Sequence, residues 1–392
     1  MKIAYLARRP IPSVHAHAVQ IVKMCEAFGE LGHEVVLFAT RGDDDPSSIF
    51  ERYGAGRTFK VETYPKPMKR LKKPRFLLWL LGRPFIREAD LYFGRDIASL
   101  AAASFLGKPV IYEARAIPPV GFGSFRWRLL GFLFGRKNFS HLVCVTSTLA
   151  ELHRRQFPAL AHNPVVVAPN GAADIPSGAP RLDWPGRAGA LQLGFVGRPF
   201  PGKGIETMVN AATGLPEVDF HIVGAEKDDL AWIDSPIPPN LHLHGYRRHG
   251  ELGAFYRRFD VAAAPYGAKV MNASRVESAA ITSPLKLLEY MAAGLPSIVS
   301  EMPGVRDILG DDADVALLVP PGDDQAFIAA VKRLADDPNL RRRMGGAARA
   351  RFLERHTMKA RARTVLGERP GLSQPHSSSS SSASTSRPRV GR

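Results

Sequence analysis

A chain of 392 residues exceeds one ordinary domain, and its 45% hydrophobic content supplies enough apolar surface for two cores. Lys and Arg number 53 against 37 Asp and Glu, a formal charge of +16, so the expected partners are anionic: phosphates, acidic lipid surfaces or nucleic acid. The two cysteines, Cys25 and Cys144, sit in apolar segments without metal or redox spacing, which excludes a disulfide framework and suits core thiols in a reducing compartment.

The N-terminus reaches Arg8 and Arg9 before the apolar region of an export signal can form, so it reads as a first strand. The longest strongly apolar runs, 76–81 and 129–134, fall short of the ~20 residues that span a bilayer, and a soluble or peripheral cytoplasmic chain is expected. Strand patterns at 2–6 and 34–39 flank a helical pattern at 19–31, with Gly32-His33 as a tight connection, giving a βαβ start. Between Lys66 and Arg87, basic residues flank Phe76-Leu77-Leu78-Trp79-Leu80-Leu81. Two readings stand: contact with an anionic membrane surface, or a buried helix with a solvated basic rim. No stacking motif accompanies the charge, so nucleic acid is not expected as a partner.

Short β-branched runs follow at 110–113, 142–146 and 165–168, each leading into turn or helix-start residues. Such alternation predicts a parallel, doubly wound α/β sheet. Pro and Gly then give residues 174–189 the composition of a linker. A second alternating series carries strands at 191–196, 220–223, 241–244, 261–264, 297–300 and 316–319, with helices at 205–212, 250–259, 285–293 and 324–334. The expected organisation is a first Rossmann-like domain at 1–175, a linker at 176–190, a second domain at 191–366 and a disordered, Ser-rich basic tail at 367–392.

Two segments of the second series carry chemistry. The strand at 191–196 runs into Gly197-Arg198-Pro199-Phe200-Pro201-Gly202-Lys203-Gly204 before a helix, the order of a phosphate cradle. Arg198 and Lys203 bring two cations to a diphosphate and take the place of a metal. Gly204 stands where an NTPase loop needs a hydroxyl for magnesium, and Pro199 and Pro201 delete backbone donors, so an NTPase is not expected. The second segment, Ser283 to Pro296, places Glu289 in an apolar helix with Ser283 as expected N-cap, Pro284 at the first helical position and Gly294 as the stop. Glu289 lies six residues past Ser283, roughly 9 Å along the axis, so a diphosphate at the helix N-terminus leaves its ribose near the carboxylate. The alternative is a surface pair between Lys286 and Glu289 at i, i+3.

The ordered set Val196-Gly197-Arg198…Lys203-Gly204, Leu243-His244-Gly245-Tyr246, Ser283-Pro284-Leu285-Lys286…Glu289 and Val319-Pro320-Pro321-Gly322-Asp323 resembles glycosyltransferase family 4, over roughly residues 1–358. The N-terminal half agrees more loosely, through Gly32-His33-Glu34-Val35, Val145-Thr146-Ser147 and Pro169-Asn170-Gly171. The resemblance implies the GT-B fold, two facing Rossmann-like domains with a cleft between them. It implies a nucleotide-diphospho-sugar donor on the C-terminal domain and a glycan or lipid-linked acceptor on the N-terminal one. Arg198 and Lys203 match the diphosphate-gripping pair, and Glu289 matches the ribose glutamate. Gly197, Gly204, Ser283, Leu285 and Lys286 are then further donor contacts, and Tyr246 is a candidate for packing on the base, with a core role as its alternative. Retention of configuration, no metal and no cofactor are implied, with a setting in envelope or exopolysaccharide assembly.

Two positions depart from the family pattern. Ile281 stands where many members carry a glutamate that touches the donor sugar, and Arg115 stands where relatives often place a histidine. His15, His17 and Arg115 are the acceptor-side candidates. The alternative function is a catalytically silent GT-B protein that binds a nucleotide sugar or a partner.

Overall fold

A computed structural model describes residues 1–13, 16–42, 45–65, 72–116, 124–175, 182–270, 279–310 and 314–368. The first sheet holds strands β1 (Lys2–Ile11), β2 (Glu34–Arg41), β3 (Lys60–Tyr64), β4 (Leu91–Gly94), β5 (Val110–Ala114), β6 (Phe139–Cys144) and β7 (Val165–Val167), in the order β3-β2-β1-β4-β5-β6-β7. The second holds β8 (Gln192–Val196), β9 (Asp219–Val223), β10 (Leu241–Leu243), β11 (Val261–Ala264), β12 (Ser297–Ser300) and β13 (Leu317–Val319), in the order β10-β9-β8-β11-β12-β13. Neighbouring strands are parallel in both sheets. Strand order therefore reverses between β1 and β4 and again between β8 and β11. In such sheets the crevice outside the carboxyl ends at the reversal is where ligands bind.

The expected α/β doubly wound architecture is present, built around apolar clusters on both faces of each sheet, as parallel sheets require. Cys25 and Cys144 are buried free thiols within it. β3 and β4 are strands that the pattern reading leaves out. β3 (KVETY) is a partly exposed edge strand with charged alternate positions, and β4 is only four residues long, buried between β1 and β5.

The end of the chain corrects the expected second domain. The crossover helix Met358–Leu366 lies on the first sheet, not the second: Met358, Ala362 and Val365 share a cluster with Ile3, Tyr5, Ile21 and Phe28. The physical reason is its apolar stripe, which is buried against the first helix (Ala16–Glu30). Residues 369–392, most of the expected tail, lie outside the described residues, as do 176–181 of the linker.

Candidate functional site

The glycine loop begins where β8 ends. Gly197 (φ 143°) donates its N–H to Val223 at 2.8 Å, and a Cβ there would lie 2.7 Å from Cε of Lys286. Gly204 (φ 90°) closes the loop, where a Cβ would meet the Pro265 carbonyl at 2.2 Å. The backbone angle therefore requires glycine at both positions, and at Gly204 the backbone contact requires it a second time. Gly224, after β9, donates to the carbonyl of Gly245, after β10, at 2.8 Å. Glycines thus stand side by side at the carboxyl ends of β8, β9 and β10, leaving an open shelf that leads from the loop to Tyr246.

Lys286 defines the electrostatics of this shelf. It is the second residue of the glutamate helix Leu285–Ala292 and turns back towards the helix start, so that Nζ lies 3.4 Å from the centroid of the Phe195 ring and 5.4 Å from that of Tyr266. Nζ is buried and has no hydrogen-bond partner among the described residues. Lys203 Nζ stands 5.5 Å from the centroid of the same Tyr266 ring. Burial, reinforced by the charge of Lys203, holds the Lys286 ammonium well below its ordinary proton affinity, and Glu289 only partly opposes this. Burial lowers Lys203 in the same direction. Aromatic faces attract both cations, but no carboxylate among the described residues pairs with either. Arg198, also in the loop, is exposed. Two cations thus share the Tyr266 ring with no paired carboxylate among the described residues, an arrangement suited to an anion.

Glu289 points elsewhere on the same helix. Its Oε2 accepts from the Tyr256 hydroxyl at 2.7 Å, and its Oε1 is 3.8 Å from Nδ1 of His249. The carboxylate faces a small cavity of about 130 Å³ whose wall includes Gln20, Lys23, Gly171, Leu285 and His249. The alternative Lys286–Glu289 surface pair is therefore not formed, because Phe195 draws the lysine and Tyr256 the carboxylate. The expected cap is also corrected. Pro284, extended at φ −74° and ψ 108°, occupies the cap position, while Ser283 lies one residue further out. Its hydroxyl accepts from the N–H of Asn170 at 3.1 Å, and its carbonyl accepts from Nδ2 of Asn170 at 3.0 Å. Ser283 ties the two sheets together. Tyr246 is 68% exposed, which removes its core alternative.

On the first sheet, Arg115 lines a cavity of about 570 Å³ at the carboxyl ends of β1, β4 and β5, together with His17 and Arg95. The carbonyl of His17 accepts from Arg95 at 3.4 Å. His15 lies outside the described residues. Beneath the cavity, the fully buried Glu113 accepts from Arg95 at 2.8 and 3.2 Å, from Arg115 at 3.2 Å and from Arg361 of the crossover helix at 2.7 Å. Burial alone would raise its carboxyl, but the charges of Arg95, Arg361 and Arg115 win and hold it far below the usual carboxylate range. Ile281 packs against the apolar core of the first domain, so the side chain standing in for the family glutamate helps to form the contact between the domains.

The sequence reading missed Phe195, Tyr256, Tyr266, Glu113, Arg95 and Arg361. Tyr266 had a usable signal, an aromatic residue between Pro265 and Gly267 directly after β11. Arg361 had none, because its partner lies on another sheet.

Two family models cover this geometry. The model described as Glycosyltransferase Family 4 matches residues 17–173, and the model described as Glycosyl transferases group 1 matches residues 190–337. The chain belongs to the group 1, family 4 glycosyltransferases. This glycosyltransferase is 25% identical to a GDP-mannose-dependent alpha-mannosyltransferase of Mycolicibacterium smegmatis over 380 residues, 91% of this chain and 93% of that one. It is 32% identical to a phosphatidyl-myo-inositol mannosyltransferase of the same organism over 212 residues, 52% of this chain and half of that one. The crystal structure of Anabaena Alr3699/HepE in complex with UDP superposes with a TM-score of 0.69 at 16% identity, covering 94% of this chain and 99% of that chain. WaaG, a glycosyltransferase involved in lipopolysaccharide biosynthesis, superposes at 0.60 with 14% identity, covering 94% of this chain and 100% of that one. These superpositions establish the glycosyltransferase's GT-B fold.

Proposed function

We propose that the chain transfers a sugar from a UDP- or GDP-type nucleotide-diphospho-sugar to a glycan or lipid-linked acceptor, with retention and without a metal, in envelope or exopolysaccharide assembly. The observation that carries the reading is the buried ammonium of Lys286 beside the glycine loop, with Lys203 over the same Tyr266 ring and no carboxylate among the described residues paired with either. Arg198 completes the clamp from the loop's exposed side. Glu289 takes the ribose hydroxyls, and Tyr246 offers its open face to the base. In the transfer the bond between the anomeric carbon and the phosphate oxygen breaks, and charge grows on the leaving diphosphate. Fixed cations already aimed at that charge stabilise it more in the transition state than in the ground state. The acceptor hydroxyl attacks the same face and passes its proton to the departing phosphate oxygen, so no separate side-chain base is required. The GDP-mannose-dependent relative and the Anabaena neighbour in complex with UDP support a nucleotide donor.

A peripheral place on the inner membrane face fits the outer surface of the first domain. Leu78 (73% exposed) on the helix Lys72–Leu81 and Phe125 (75% exposed) on the helix Phe125–Phe134 project from elements that pack on one face of the sheet. Arg75 and Arg87 are exposed close by, whereas residues 66–71 of the basic segment lie outside the described residues. No helix among the described residues is long and apolar enough to cross a membrane.

The test is nucleotide binding followed by transfer. Lys203→Ala and Arg198→Ala are each expected to weaken UDP or GDP binding by about tenfold, the loss of one charge-assisted contact. Unchanged affinity in both removes the clamp. Nucleotide binding with neither hydrolysis nor transfer across a broad donor panel would make the chain a silent GT-B protein.

A further inference from the structure

The 570 Å³ cavity at the ends of β1, β4 and β5 carries more charge than sugar transfer needs. Among the described residues its wall holds the guanidiniums of Arg8, Arg9, Arg95, Arg115 and Arg126 against the carboxylates of Asp96 and Glu113, five cations to two anions and an excess of three. Both carboxylates are committed elsewhere. Asp96 accepts from Arg8 at 3.1 and 3.2 Å and caps a helix through the N–H of Ser99 at 3.1 Å. Glu113 is shared by Arg95 and Arg361 before Arg115 reaches it through a single N–H at 3.2 Å. Arg9 is exposed at the rim. Burial and the neighbouring charge of Arg95 lower the proton affinity of Arg115 to about 9, as expected for a cation whose neutralisation is incomplete.

We propose that this cavity binds a phosphate ester carried by the acceptor, held between Arg9, Arg115 and Arg126. This rests on the glycosyltransferase reading and names the acceptor class. The arginines approach from the ends of β1 and β5 and from the helix Phe125–Phe134, so they converge from different sides. A tetrahedral phosphate offers oxygens in several directions, whereas a carboxylate accepts within one plane. The first helix links this cavity to the donor: His17 and Ile21 line it, while Gln20 and Lys23, between them and one turn on, line the pocket at Glu289. An acceptor anchored here by its phosphate therefore lies next to the donor's ribose pocket.

The experiment uses the full chain with the donor loop saturated by UDP. sn-Glycerol 3-phosphate is titrated calorimetrically with glycerol as the neutral control, and phosphatidylglycerol vesicles are compared with phosphatidylcholine vesicles by co-sedimentation. Arg115→Gln and Arg9→Gln are each expected to weaken glycerol 3-phosphate binding by about tenfold. Both variants should fold, since Glu113 keeps Arg95 and Arg361 and Arg9 is exposed. A loss seen only with phosphatidylglycerol vesicles supports the proposal and makes a lipid headgroup the source of the phosphate; a loss with the soluble ester supports a free phosphorylated acceptor. Unchanged binding of both probes in both variants overturns it. So does a glycerol 3-phosphate signal that disappears in Lys203→Ala and survives in Arg115→Gln, because the ester would then occupy the donor loop. Failure of the wild-type chain to bind UDP or GDP would sink the donor reading alone and leave the arginine variants to decide this one.

Discussion

Lys286 holds its charge only at a cost in the free protein, because Nζ is buried over Phe195 without a hydrogen-bond partner among the described residues. A diphosphate bound on the shelf would supply the missing counter-charge, so binding and protonation are coupled. The folded value lies well below the ordinary 10.5, hence the unfolded chain binds more protons in the window between the two. Stability of the free protein therefore rises with pH across that window, and nucleotide binding takes up a proton within it. UDP affinity is expected to fall as pH is raised towards the ordinary lysine value of 10.5, and calorimetry in two buffers of different ionisation heat should reveal the uptake. Lys286→Met should abolish the uptake and weaken binding by about tenfold. Equal heats in the two buffers for the wild-type chain would contradict the coupling. Sequence showed Lys286 at a helix start, but the rings that bury it come from the ends of β8 and β11 and left no local trace.

At the scale of elements, the glycine loop was legible because its chemistry is local: strand, three positive-φ glycines and helix follow one another in the chain. The glutamate helix was legible in position but not in its start, since the hydroxyl of Ser283 bonds across the domain contact to Asn170. Sequence also gave no hint of the stack that fixes the linker's end. The Trp184 ring lies 4.2 Å from His221 and 5.1 Å from His244, and His242 stacks on the far side of the group at 4.9 Å from His221. Trp184 Nε1 donates to Oε1 of Gln192 at 2.7 Å, and Nε2 of His221 shares that oxygen at 2.8 Å. Burial and the neighbouring imidazoles depress His221 to about 3 and His244 to about 4. Their folded values lie below the unfolded 6.5, so the stack stabilises fully above pH 6.5 and loses that contribution as pH falls towards 4. Unfolding free energy from urea titrations should decline over this interval, and His221→Phe should flatten the decline. An unchanged slope in the variant would show that the histidines titrate without strain.

For the molecule as a whole, the two sheets are joined by more than a linker. The crossover helix sends Arg361 to Glu113 and to the carbonyl of Pro169, Asn170 holds Ser283, and Asp307 accepts from the N–H of Ser147 at 2.8 Å. The cavity at the ends of β1, β4 and β5 and the domain contact thus share one carboxylate. This long-range wiring is what the sequence could not show. Ile281 belongs to the same contact, resting on the first domain's core beside the helix Ser147–Gln156. Ile281→Glu, which installs the side chain many family members carry, would press a carboxylate against that apolar surface at a cost on the order of 1–3 kcal/mol. The expected result is a lower melting temperature and a larger radius of gyration in solution scattering, with UDP still bound because Lys203 and Lys286 belong to the second domain's own loop and helix. Unchanged stability together with a gain in donor hydrolysis would mean the opposite, that position 281 faces the sugar and the isoleucine had silenced a contact there.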